Sequence, residues 1–91
     1  MLKIGKHIFS GRALLAPMAG ITDLPFRQIC MTHGAALATS EMLTSDAKLW
    51  ESDKSRFRLQ LDTSTPGPKS IQIAGSDPEQ LAEAAQKVVK L

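Results

Sequence analysis

The sequence predicts an α/β fold built from strand–helix repeats, and three stretches carry that expectation. Ala13-Leu14-Leu15-Ala16 is an apolar run with the length and flanks of a short buried strand, and Pro17 ends it because proline has no N–H for a sheet ladder. Leu24 to His33 then reads as a helix, with Thr22 and Asp23 able to cap it and Pro25 suited to its first turn. Further on, Ser70 to Ala74 reads as a strand, and Asp77-Pro78 opens a helix that runs to the last residue. A buried strand, a small-residue loop and a helix form one unit of such a fold, in which ligands bind beyond the carboxyl ends of the strands. The βαβαβα rhythm predicts a parallel sheet with right-handed crossovers, at the opening of a barrel or of a doubly wound sheet. A G-x-G-x-x-G fingerprint after the first strand would favour dinucleotide binding by a doubly wound sheet, and the sequence has none.

The elements follow in order. Met1 to Gly11 places Leu2, Ile4, Ile8 and Phe9 around Gly5, which predicts two short strands in a hairpin. In the first helix Leu24, Ile29 and Met31, with Phe26 and Cys30, lean towards an apolar face, and Arg27 and Gln28 can face water. Gly34 suits the C′ position, and His33 in the last turn suits the helix dipole. No second histidine, cysteine or carboxylate stands at metal-ligand spacing around His33. Leu37 to Ser40 is expected as a second strand, with Glu41 and Met42 at its carboxyl end. Thr44 or Ser45 can cap a short helix from Asp46 to Trp50, broken by the polar residues Glu51 to Ser55. Arg56 to Leu61 alternates with a period of two and predicts an exposed or half-buried strand. Thr63 to Lys69, centred on Pro66-Gly67-Pro68, is a loop. In the last helix Asp77 is the expected N-cap, Gln80 completes a capping box, and Leu81, Ala84, Ala85, Val88 and Val89 form the apolar face.

Composition bounds the function. At 91 residues a single small domain would be marginal in burial. The net charge of +2 is too small to argue for nucleic acid by itself, and the 43% hydrophobic share indicates a globular chain. Cys30 is the only cysteine, so no disulfide forms within the chain, which fits a reducing compartment. The first residues lack the apolar core of a signal peptide and no run reaches the length of a transmembrane helix, so the expected location is cytoplasmic.

A-P-M-A-G-I-T-D-L-P-F-R, from Ala16 to Arg27, resembles the first barrel strand and loop of the tRNA-dihydrouridine synthases. S-E-M at Ser40 to Met42, W-E-S-D-K-S-R at Trp50 to Arg56 and Q-I-A-G-S-D-P at Gln72 to Pro78 recur in the same order, and together they resemble the bacterial B-type enzymes over nearly the whole chain. The resemblance implies a TIM barrel. A complete (β/α)8 barrel takes roughly 250 residues. The expectation is therefore an incomplete barrel: an N-terminal β-hairpin over 1–11, the first βα units over 12–91, and truncation before the catalytic motif. The absence of a C-cap glycine or a following strand after the last helix fits an ending partway through a βα repeat.

The same resemblance implies reduction of uridine to 5,6-dihydrouridine in tRNA, with electrons from NADPH or NADH passing through flavin mononucleotide (FMN). Pro17, Met18 and Ala19 then match the segment that touches the flavin. A flat isoalloxazine ring needs close backbone approach and hydrogen bonds at its edge. Gln72 lies between Ile71 and Ile73 in an expected buried strand, where an amide must find hydrogen-bond partners. The glutamine of Q-I-A-G is a flavin contact in the resembled family. Glu41, expected at a strand end, could contact substrate or orient a partner, or simply be solvated there. Lys54, Arg56 and Arg58 form a basic cluster suited to tRNA phosphates, or, with Glu51 and Asp53, a solvated salt-bridging face.

Family members use a cysteine as general acid in a motif resembling N-M-G-C-P, which these residues do not contain. Cys30, between Ile29 and Met31, reads as a small buried hydrophobe instead. The isolated chain is thus expected to be inactive. The competing class is a non-enzymatic remnant that binds RNA weakly or only self-associates. An open edge on the last strand would favour self-association.

Overall fold

The computed structural model describes residues 2–46 and 67–90. Leu2–Ile4 (β1) and His7–Phe9 (β2) pair antiparallel, with Leu2 opposite Phe9 and Ile4 opposite His7. Phe9 is buried, while Ile4 and Ile8 remain exposed.

A second sheet contains Leu14–Leu15 (β3), Leu37–Thr44 (β4) and Ser70–Ala74 (β5), in the order β3-β4-β5 with both pairings parallel. Each crossover returns the chain beside the strand it left. That order suits a barrel opening or one half of a Rossmann sheet, and differs from the 2-1-3 start of a flavodoxin-like sheet.

Leu24–Thr32 (α1) packs on β4, and Pro78–Val89 (α2) packs on β5. Asp23 caps α1 by accepting from the Phe26 N–H at 2.9 Å. At the other end Gly34 N–H donates to the Met31 carbonyl and Ala35 N–H to the Cys30 carbonyl, the paired bonds of a Schellman motif, with Gly34 at φ 106°. The chain then enters β4 directly, with Ala36 N–H donating to the Ala13 carbonyl at 2.8 Å. Asp77 caps α2 through the Glu79 N–H at 3.2 Å.

Several expectations need correction. The first strand of the parallel sheet is not buried among the described residues: it spans only Leu14–Leu15, with Leu14 exposed and Leu15 half-buried, because β3 has a strand neighbour on one side only. Arg27 does not face water: it is 6% exposed, while Ile29 is 58% exposed and Phe26 lies at the surface. The covered face of α1 is Leu24, Arg27, Cys30 and Met31, a helical stripe with the arginine at its centre. Arg27 is drawn inward because its guanidinium donates to the Thr22 carbonyl at 2.6 Å.

The second strand does not stop at Ser40. It runs to Thr44, so Glu41 and Met42 lie inside it rather than at its carboxyl end. Thr44 is a strand residue whose hydroxyl accepts from Asp46 N–H at 3.3 Å, and Ser45 N–H prolongs the β4–β5 ladder by donating to the Ala74 carbonyl at 2.7 Å. In α2, Ala84 is fully buried and Leu81 and Val88 are half-buried, but Ala85 and Val89 are exposed. Among the described residues α2 rests on β5, the last strand of the sheet, so only the stripe above that strand is covered.

The expected helix to Trp50, apart from Asp46, the strand Arg56 to Leu61, the first part of the Thr63 to Lys69 loop, and Lys54, Arg56 and Arg58 lie outside the described residues.

Candidate functional site

The loop from β3 to α1 folds on itself around Thr22, which is fully buried. Its hydroxyl oxygen accepts from Met18 N–H at 2.9 Å and donates to the Met18 carbonyl at 3.2 Å. The same carbonyl accepts from the N–H groups of Ile21 and Thr22, each at 3.0 Å. One threonine thus satisfies both backbone polar groups of Met18, in a loop too short to use a sheet ladder. Arg27 closes the lower side through the Thr22 carbonyl. The upper side is closed from β4, where the Glu41 carboxylate accepts from Gly20 N–H. Gly20 has φ 78°, a conformation that costs a side-chain-bearing residue and that turns its N–H towards the strand.

Glu41 is 4% exposed and occupies an irregular point of β4. Ser40 pairs with Ile71 and Leu43 with Ile73, so the two residues Glu41 and Met42 stand against the single residue Gln72. This is a β-bulge, and it explains why neighbouring Ser40 and Glu41 are both buried where strict alternation would expose one of them. Bulges recur at barrel rims and beside active sites, where they re-aim a side chain. Below the bulge the strands are tied by the hydroxyls of Thr39 and Ser70, 2.8 Å apart. Above it Gly75 gives the close approach of β5 to β4: a Cβ there would lie 2.5 Å from Ser45 Cβ.

The structure therefore brings Glu41 into contact with the loop carrying Pro17, Met18 and Ala19, and sets Gln72 across the ladder from Glu41. Pro17 and Gln72 are half-buried, and Met18 and Ala19 are exposed. No hydrogen bond among the described residues engages the Ala19 amide or the Gln72 side chain. Cys30 is a half-buried residue of α1.

Sequence reasoning missed Thr22, Gly20 and Arg27 as parts of the loop's frame. A signal for Arg27 was present, since it stands three residues after Leu24 and four before Met31, on one helical face. Among the described residues no group of three His, Cys, Asp or Glu could hold a metal ion, and no helix is long and apolar enough to cross a membrane.

Comparison with known proteins gives a consistent result. The family model described as Dihydrouridine synthase (Dus) matches residues 14–91. A protein of Pseudomonas aeruginosa named tRNA-dihydrouridine synthase B is 54% identical over 91 residues, the whole of this chain and 27% of that protein. The Escherichia coli K12 protein of the same name is 49% identical over 85 residues, 93% of this chain and 26% of that protein. The Vibrio vulnificus protein of that name is 46% identical over 85 residues, again 93% of this chain and 26% of that protein. The chain spans about a quarter of the length of these curated relatives. No solved structure matches it significantly. With the family's pattern matched from the first strand of the parallel sheet through the last helix, the chain belongs to the dihydrouridine synthase family.

Proposed function

We propose that these residues form the opening βα units of a TIM-barrel tRNA-dihydrouridine synthase and supply part of its FMN-facing surface. The observation that supports this most strongly is the similarity, over the whole of this chain, to part of tRNA-dihydrouridine synthase B, which reaches 54% identity. A bound FMN would supply hydride chemistry, with electrons from NADPH or NADH, for reduction of uridine in tRNA to 5,6-dihydrouridine once a proton is also added at C5.

The residues present fit such a group. The Met18 backbone is engaged within the loop, so Met18 offers the ring its side chain, while Ala19 offers its amide and Pro17 a flat apolar flank. The half-buried Gln72 amide, across from the bulge, would meet the hydrogen-bonding edge of the ring. Lys54 and Arg56 are assigned to tRNA phosphates. A tRNA substrate makes the location cytoplasmic. The proton for C5 must come from a general acid, and the 91 residues carry no N-M-G-C-P motif to provide it.

The test is a graft of these 91 residues in place of the matching part of the Pseudomonas aeruginosa relative. The chimera should bind FMN and restore dihydrouridine to tRNA in cells lacking their own synthases. A colourless, inactive chimera would overturn the proposal. The 91-residue chain alone, supplied with FMN and NADPH, should give no dihydrouridine, since a missing general acid removes a factor on the order of 10²–10⁴ in rate.

A further inference from the structure

We propose that Glu41 is a positioning residue for the flavin-facing loop, acting through Gly20 rather than by touching substrate. The inference rests on the functional reading above for what the loop faces, and on the structure for what Glu41 does. Its carboxylate is buried and accepts from a main-chain N–H of the β3–α1 loop, twenty-one residues away in sequence. The bulge makes this possible. The two-against-one pairing at Gln72 lets Glu41 be buried beside Ser40 instead of alternating out of the sheet.

The Ile21 N–H closes the turn on the Met18 carbonyl, and Glu41 adds the acceptor that reaches the Gly20 N–H within that turn. Thr22 secures Met18, and Arg27 secures Thr22, but both braces act on the ends of the turn. Gly20 sits between them with φ 78°, a conformation glycine adopts at no steric cost, and Glu41 is the acceptor for its N–H. A charged acceptor on its N–H selects one conformation, and charge-assisted bonds of this kind are stronger than neutral ones. Ala19 immediately precedes Gly20, so the Ala19–Gly20 peptide is held from the strand side while its neighbours face the proposed ring. Burial in the sheet keeps the carboxylate out of solvent competition.

The experiment uses the chimera with Glu41→Leu and Glu41→Gln. Leucine fills similar space without an acceptor or a buried charge, and glutamine keeps an acceptor oxygen. Three readouts are needed: the FMN dissociation constant, the melting temperature of the apoprotein, and the Gly20 amide proton resonance in glycine-labelled apoprotein. The Leu variant should weaken FMN binding about tenfold or more, as expected for loss of a bond to a charged group, with a melting temperature near that of the parent. Its Gly20 resonance should move upfield. The Gln variant should recover most of the FMN affinity and shift the resonance only part of the way. Unchanged FMN affinity in the Leu variant, an unmoved Gly20 resonance, or a Gln variant as weak as Leu would overturn the proposal. If the Leu variant does not fold, the Gln variant decides by the Gly20 resonance, which must move upfield. Failure of the functional reading is distinct: the parent chimera would then not bind FMN at all, while the Gly20 resonance would still report on Glu41.

Discussion

Thr22 shows how much one small polar side chain settles in this fold. Its hydroxyl serves both the N–H and the carbonyl of Met18, and it is fully buried. Thr22→Val keeps the shape and removes both bonds, leaving a loop N–H without its partner. The expected loss is about 1–3 kcal/mol in urea unfolding of the chimera, with the unfolding slope unchanged. A loss within a few tenths would mean that solvent or the chain replaces the bond. Gln72 is tested at the same scale but through the ligand. Gln72→Ala should raise the FMN dissociation constant by the worth of one neutral hydrogen bond, about 0.5–1.5 kcal/mol. Gln86→Ala, on the exposed side of α2, is the control and should leave it unchanged. Equal effects from both substitutions would remove the assignment of Gln72.

At the scale of elements, the two helices begin alike and are braced differently. Each has an aspartate N-cap and a proline in its first turn. Asp23 reaches the N–H three residues on, at 2.9 Å, and the α1 N-terminus is further held by Arg27 on the Thr22 carbonyl. Asp77 reaches only to Glu79, at 3.2 Å, in an exposed setting, with Glu79 adding negative charge to the first turn. Asp77→Ala should therefore cost about 0.5–1 kcal/mol, near the low end for cap removal, and Asp23→Ala more, up to about 2 kcal/mol. Denaturant midpoints of the two variants check the order. A larger loss at Asp77 would show that α2, not α1, limits stability. The bulge in β4 belongs to this scale too. One extra residue in a parallel ladder joins the β3–α1 loop, through Glu41, to the strand that carries Gln72.

For the whole molecule, the described core is thin. Phe9, Leu43 and Ala84 are the buried apolar residues, against exposed Leu14, Ile21, Phe26 and Ile29. Among the described residues β3 and β5 each have one neighbouring strand, so both lateral edges of the sheet offer unpaired backbone groups. A chain of 91 residues has small reserves of stability, and its described residues bury little apolar surface. The isolated polypeptide should associate increasingly with concentration in sedimentation velocity and melt with weak cooperativity. A clean monomer at high concentration with a sharp thermal transition would show that the 91 residues close a fold of their own. In the chimera, pairing of the same edges with further strands should abolish that association.

What the sequence determined by itself is local. Pro17 after an apolar run, Asp23 and Asp77 before prolines, Gly34 after a helix and the alternation in Ser70 to Ala74 each act within a few residues, so their outcome does not depend on the rest of the chain. The quoted motifs likewise identify the family, because residue order alone carries them. Long-range pairing decided what sequence could not. Arg27 reads as a surface residue until the Thr22 carbonyl is placed beneath it. Glu41 reads as a strand-end carboxylate until β5 pairs with β4 out of step. That slip cannot be seen in either strand alone, since a bulge is a property of two ladders and not of one sequence. Burial of a charge is likewise decided only when its partner arrives, and here Gly20 N–H arrives from another turn of the chain.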